Sequence, residues 1–266
     1  VVTGEVVSDG GAEVTSRGFV WNRCHIEDDS PIEDYNVEVG AGTGTFTYTL
    51  SGLLPNTEYW VYAYAVNSEG RTTGEHHYFT TQDDGTINGY EYVDLGLPSG
   101  LKWAAYNVGA GSPSETGDYF AWGETQPKDT YSWSTYKWCN GSSNTLTKYC
   151  TDNNYGTVDN KTVLDAADDA ATANWGGSWR MPTDAELTEL RENCTWTWII
   201  ENDMCGYRVT SKKENYTDKS IFLPIPVTSN GAFYWSSSLG PNDPDYACDL
   251  YFDVTWVGFS SLTREY

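Results

Sequence analysis

Trp175-Gly-Gly-Ser-Trp-Arg-Met-Pro-Thr-Asp-Ala-Glu-Leu-Thr-Glu-Leu190 is the stretch on which the reading of this chain turns. Pro182 ends whatever precedes it, because proline restricts the residue before it and cannot donate a backbone hydrogen bond. Thr183 and Glu186 have the spacing of a capping box: the Thr hydroxyl accepts from the Glu186 amide, and the Glu carboxylate reaches back to the cap amide. Leu187 and Leu190 then put one apolar stripe on a short helix, predicted over 183–194. Upstream lies an aromatic, Gly-rich turn. Downstream the chain is rich in Trp, Ser and Asn.

Outward from that stretch, the composition reads as strands and long loops. Gly, Ser, Thr, Asn and Tyr dominate, and helix formers are scarce. With 12 Trp and 20 Tyr, most aromatics must supply the core, and the surplus is available for contacts at the surface. The 15 Lys and Arg against 38 Asp and Glu leave a formal charge of −23. That excludes nucleic acid as a partner, since phosphate binding needs clustered cations, and it disfavours anionic lipid. No apolar run is long enough to span a bilayer, so no membrane insertion by this chain is expected. Val1 reads as the middle of a strand, so the sequence is expected to be a piece of a longer protein.

Residues 1–82 alternate between strands and turns at roughly ten-residue spacing, as an all-β sandwich does. Leu53-Leu-Pro-Asn-Thr-Glu-Tyr59 resembles a tyrosine corner, in which the hydroxyl ties down the corner backbone. Alternation then puts Tyr59, Val61, Ala63 and Ala65 on one face and Trp60, Tyr62, Tyr64 and Val66 on the other. This part resembles a fibronectin type III module. A polar linker is expected over 83–88, and a second domain over 89–266. In it, a first helix is predicted from Val163 to Asn174, with Asp165, Asp168 and Asp169 toward its positive end. Strands are predicted near Gly206–Ser211 and Ser220–Pro224.

Four segments, the opening stretch among them, carry a resemblance to a known family. Tyr92-Val-Asp-Leu-Gly-Leu-Pro-Ser-Gly-Leu-Lys-Trp103, Gly117-Asp-Tyr-Phe-Ala-Trp-Gly-Glu-Thr125, Trp175 to Glu186 and Tyr234-Trp-Ser-Ser-Ser238 occur in the order found in the Fibrobacter major paralogous domain family. Over residues 92–240 the chain resembles that family of gut bacterial surface proteins, a branch of the C-type-lectin-like and formylglycine-generating-enzyme-like superfamily. The resemblance implies an α+β C-type-lectin-like second domain with two short helices. It also implies display at the cell surface, lipid-anchored or on a phage, and a host or bacterial surface protein or glycan as partner.

Candidate chemistry is sparse. The superfamily's calcium-binding triplets, Glu-Pro-Asn or Gln-Pro-Asp with Trp-Asn-Asp, do not occur, and Pro241-Asn-Asp-Pro-Asp245 has the wrong order. Thr151-Asp-Asn-Asn-Tyr-Gly156 has closely spaced oxygens but lacks the distal bidentate Glu of a calcium loop. The formylglycine-type enzymes need a cysteine pair near the C-terminus, where only Cys248 stands. The three histidines, His25, His76 and His77, all precede the second domain, which leaves it without an imidazole base. No catalytic residue, metal or cofactor is expected. Six cysteines fit no zinc spacing; in an exported chain, Cys139 with Cys150 and Cys194 with Cys205 are candidate disulfides, while Cys24 and Cys248 have no evident partner.

The function is therefore expected to be non-enzymatic ligand binding, adhesin-like or receptor-like, through the terminal hairpin. Its candidate residues are Tyr246, Asp253, Thr255, Trp256, Phe259, Ser260 and Ser261, with Tyr234 at the edge. Some C-type-lectin-like proteins are targets of diversity-generating retroelements, which scatter substitutions at adenine-containing codons. The mixture of residues around Leu250-Tyr-Phe252 is what such scatter produces, and an ordinary hairpin with a mixed face is the alternative. A carbohydrate-active or formylglycine-type enzyme, and a ligand-free envelope spacer, are the competing functions.

Overall fold

The computed structural model describes residues 1–24, 34–226 and 229–266. It is mostly β-sheet with two short α-helices, and it divides into two compact units, Val1–Asp84 and Gly85–Tyr266.

In the first unit, β1 (Val2–Val6) pairs antiparallel with β4 (Gly44–Tyr48). The larger sheet runs β3 (Tyr35–Gly40), β2 (Ser16–Arg23), β5 (Glu58–Asn67), β6 (Gly70–Thr73), and β7 (His77–Thr80) also pairs with β5. Phe19 and Trp21 of β2, Phe46 of β4, and Tyr59 and Val61 of β5 form the core between the two sheets, with the Phe19 and Phe46 rings 4.9 Å apart. The Leu54 amide donates to the Tyr59 hydroxyl at 3.0 Å, so the tyrosine does tie down its corner. Gly18 is obligatory here: a Cβ built on it would lie 1.8 Å from the Val37 carbonyl oxygen.

The second unit opens with β8 (Thr86–Ile87), β9 (Tyr90–Val93) and β10 (Trp103–Ala104). A long irregular segment follows, up to a single 3-10 turn at Ala166–Asp168. Helices α1 (Ala170–Trp175) and α2 (Asp184–Asn193) come next. Two three-stranded antiparallel sheets complete it. One is β11 (Cys194–Glu201), β12 (Met204–Ser211) and β13 (Ser220–Pro224); the other is β14 (Gly231–Leu239), β15 (Tyr246–Asp253) and β16 (Val257–Thr263). Leu187 and Leu190 of α2 pack with Val209, Ile221, Leu250 and Phe252 in one core cluster. Trp122, Tyr149, Leu239 and Ala247 form another.

The stretch 175–190 joins these parts. Both halves of the capping box are present on α2. Arg180 donates to both oxygens of the Glu186 carboxylate, at 2.6 and 2.7 Å, which with the cap amide pulls its pKa down to about 2. Gly176 and Gly177 take φ of 63° and 61°, a left-handed pair that brings the Trp179 ring back to within 5.1 Å of Trp175. Asp169 caps α1 through the Thr172 amide at 2.9 Å and accepts from the Met181 amide at 2.8 Å. The Ser237 amide donates to Pro182 O at 2.7 Å, which fastens the same stretch to β14. Thr183→Ala is expected to cost about 1 kcal/mol, since it orphans a helix-end amide; a urea titration of the second-unit transition measures it.

Three expectations need correction. Thr86 and Ile87 are not linker but strand: the Trp179 indole donates to Ile87 O at 2.7 Å, and the Asn88 amide donates to Trp175 O. The first helix begins at Ala170, not Val163. Asp168 is spent on an ion pair with Lys148 (2.5 Å) and on the Tyr149 hydroxyl (2.6 Å), and Asp165 on Lys148 and Lys161, so neither serves a helix end. All six cysteines are free thiols. In the β11–β12 register Cys205 faces Ile200, six residues along from Cys194. That is about 20 Å of strand, beyond the ~7 Å that a disulfide bridges between Cα atoms. The Cys139 and Cys150 thiols donate to different carbonyls, those of Trp133 and Asp152.

Candidate functional site

The residues read as one binding hairpin lie on two opposite faces. In the β15–β16 register Leu250 faces Phe259 and Tyr251 faces Gly258, so alternation sends odd residues of β15 outward and even ones to the core. Phe259 is thus a core-side residue, half-buried against the α2 cluster, with the Arg191 guanidinium 4.9 Å from its ring centre. Tyr234 is also core-side. It stacks on Phe252 at 5.4 Å, donates to Pro224 O and accepts from Asn107, and burial pushes its hydroxyl pKa well up. These two are corrected from ligand contacts to packing. Tyr246 and Ser261 share the core-side parity but sit at its exposed end.

Asp253, Thr255 and Trp256 do come together, at the β15–β16 turn. Asp253 Oδ1 accepts from the Thr255 amide, the Thr255 hydroxyl and the Trp256 amide at 2.7–2.9 Å. Those bonds, the Thr255 hydroxyl first, hold its carboxyl below the usual range. This carboxylate shapes the turn. Ser260 faces outward and donates to Asp249 at 2.6 Å.

Beside the turn, the outer face of the sheet carries a strip of rings. Tyr266 lies 5.9 Å from Phe233, Phe233 lies 4.8 Å from Tyr251, and Tyr251 lies 5.8 Å from Trp256. Tyr266, Phe233 and Trp256 are 61%, 40% and 49% exposed. Two glycines make the arrangement possible by close approach. A Cβ on Gly231 would strike the Tyr251 ring at 2.7 Å, and one on Gly258 the Trp256 ring at 2.2 Å. Each ring thus leans on strand backbone. Sequence reasoning passed over Phe233, Tyr251 and Tyr266. Period-two alternation through Tyr251 and Asp253 was the signal for Tyr251.

One row further along, the same face is covered. The Trp235 indole donates to Phe120 O at 2.9 Å, and the Trp122 indole to Ser236 O at 2.8 Å. Beneath them Asp249 is fully buried; burial raises its pKa to about 6, and Oδ2 has no protein hydrogen bond. Arg264 is equally buried, its guanidinium 5.4 Å from the Trp122 and Tyr136 rings and donating to the carbonyls of Lys148 and Tyr149.

Other candidates are engaged elsewhere. Asp152 of the 151–156 loop accepts from both nitrogens of Asn154, and no group of three or more His, Cys, Asp or Glu suited to a metal occurs among the described residues. His76 sits edge-on to Trp60 and Tyr62 in the first unit, and His25 lies outside the described residues. No helix among the described residues is long and apolar enough to cross a membrane. No protein-family model, curated protein or solved structure matches the chain.

Proposed function

We propose that the protein is a non-enzymatic ligand-binding module of a bacterial or phage surface, adhesin-like or receptor-like. In this reading a fibronectin type III-like sandwich precedes a C-type-lectin-like domain that displays its terminal sheet. The observation that supports it is the strip of solvent-facing rings beside a self-capped turn, because aromatic anchors with little side-chain entropy are what binding hot spots are made of. Cys248 gives no support to catalysis: it is buried, its thiol donates to Leu239 O, and burial raises its pKa to about 11.

The contact set is Trp256, Thr255, Phe233, Tyr251 and Tyr266, with Asp253 shaping the turn. Ser260, on the same face, is its margin, whereas Tyr246 and Ser261 stand on the opposite face and are left out of the contact set. Trp256→Ala is expected to weaken binding by about 2 kcal/mol or more, roughly thirtyfold, while leaving the unfolding midpoint nearly unchanged. Ligand screening on protein and glycan arrays, followed by this variant, tests the reading. Blank arrays would favour the envelope spacer, and turnover of an arrayed glycan would favour an enzyme. The retroelement reading is tested by sequencing the gene from many isolates. Substitutions concentrated between residues 246 and 263 support it; even variation along the chain opposes it.

A further inference from the structure

We infer that the strip Tyr266–Phe233–Tyr251–Trp256 takes a cationic, Lys- or Arg-bearing peptide segment of a partner protein. This rests on the ligand-binding reading above and specifies the ligand. Elsewhere in the second unit, several rings are covered by the chain's own cations. Lys102 lies 3.9 Å from the Tyr92 ring centre, Lys137 4.2 Å from Trp138, and Lys213 4.9 Å from Tyr216. None of the four strip rings has such a cation among the described residues, although they are the most exposed group of adjoining rings on this sheet. An exposed aromatic face carries the negative side of the ring quadrupole, which attracts ammonium and guanidinium groups.

The surrounding charge has the matching sign. From Ser229 to Tyr266 the sole Lys or Arg is Arg264, which is wholly buried, as is Asp249; Asp243 and Asp245 precede the far end of β15, which leaves Asp253 at the turn and Glu265 next to Tyr266 as the acids nearest the strip. Asp253 stands at the strip itself, accepting from the Tyr251 hydroxyl at 3.1 Å. An anionic glycan or a nucleic acid would be repelled from this face. A basic side chain gains both the ring faces and a carboxylate, and the rest of the partner meets a surface of the opposite sign.

The test uses the full chain and an end-capped, fluorescently labelled hexapeptide alternating glycine and arginine. The matching glutamate peptide and neutral xylohexaose are the comparisons, and anisotropy is read at low and physiological salt. A chain of charge −23 attracts any basic peptide, so the deciding variants leave charge untouched. Phe233→Ala and Trp256→Ala are each expected to weaken arginine-peptide binding about fivefold or more, and Trp256→Phe to restore most of it. Thermal unfolding of each variant confirms that it is folded. If both alanine variants bind the peptide as the parent does, attraction is non-specific and the inference fails. If xylohexaose binds through Trp256 and the peptide does not, the cationic inference fails while ligand binding at the strip survives. If neither probe binds the parent and the arrays are blank, both readings fail.

Discussion

Trp122→Ala is expected to lower the unfolding free energy by about 4 kcal/mol, the largest effect of any single truncation considered for this protein. The side chain has no exposed surface and is the largest of the fully buried ones. Its loss opens a cavity among Tyr149, Leu239 and Ala247, and it strips the Ser236 carbonyl of its indole donor. It also removes one of the two rings flanking the buried Arg264 guanidinium. The neighbouring backbone is held too, since the Trp122 amide donates to Arg264 O at 2.8 Å, so collapse around the cavity is restricted. Urea unfolding monitored by far-ultraviolet circular dichroism measures the change. A loss below about 1 kcal/mol would show that the site relaxes freely.

Asp249→Asn should do the opposite, with a gain that sets in above about pH 4 and is nearly complete once the pH passes 6. The folded-state pKa of about 6 stands above the unfolded value of 3.8 because burial opposes ionisation. Relative to the ionised form, the stabilisation is fully present below about pH 4 and is lost as pH rises through 6. Above pH 7 the native state carries a buried carboxylate whose Oδ2 has no protein hydrogen bond. Asparagine keeps an acceptor for Ser260 and has no charge to desolvate. The expected gain is up to about 3 kcal/mol at pH 8, shrinking toward zero at pH 4. Equal effects at the two pH values would mean that Asp249 does not titrate in this range.

The parts legible in the sequence are those decided within a few residues. Thr183 and Glu186 satisfy each other across one helical turn, and Tyr59 reaches Leu54 within its own corner; no distant partner enters either decision. The helix start at Ala170 was illegible because Asp165 and Asp168 are claimed by Lys148 and Tyr149, about twenty residues away. The aromatic strip was half-legible. Trp256 and Asp253 declare themselves at a turn, whereas Phe233 joins them only through strand pairing with Tyr251. Tyr234 and Phe259 were misplaced because aromatic character was weighed ahead of alternation, which directs both to the core. The pairing of Cys194 with Cys205 fails for a similar reason, since spacing along the chain says nothing of register.

The carboxylate of Asp253 gives its turn an unusual independence. Three of the bonds that shape the tip run from backbone amides and a hydroxyl at 255–256 to one side chain at 253, while Val254 and Thr255 are turned to water and Trp256 rests on Gly258 and Tyr251. Residues 254 and 256 can therefore be exchanged for others without dismantling the loop they stand on. Under selection, such a tip can explore new side chains at little risk to heritable folding, provided that the aspartate stays. Innovation and conservation then fall on neighbouring codons, and lineages carrying this hairpin are expected to diverge in the side chains of the tip before they diverge in shape.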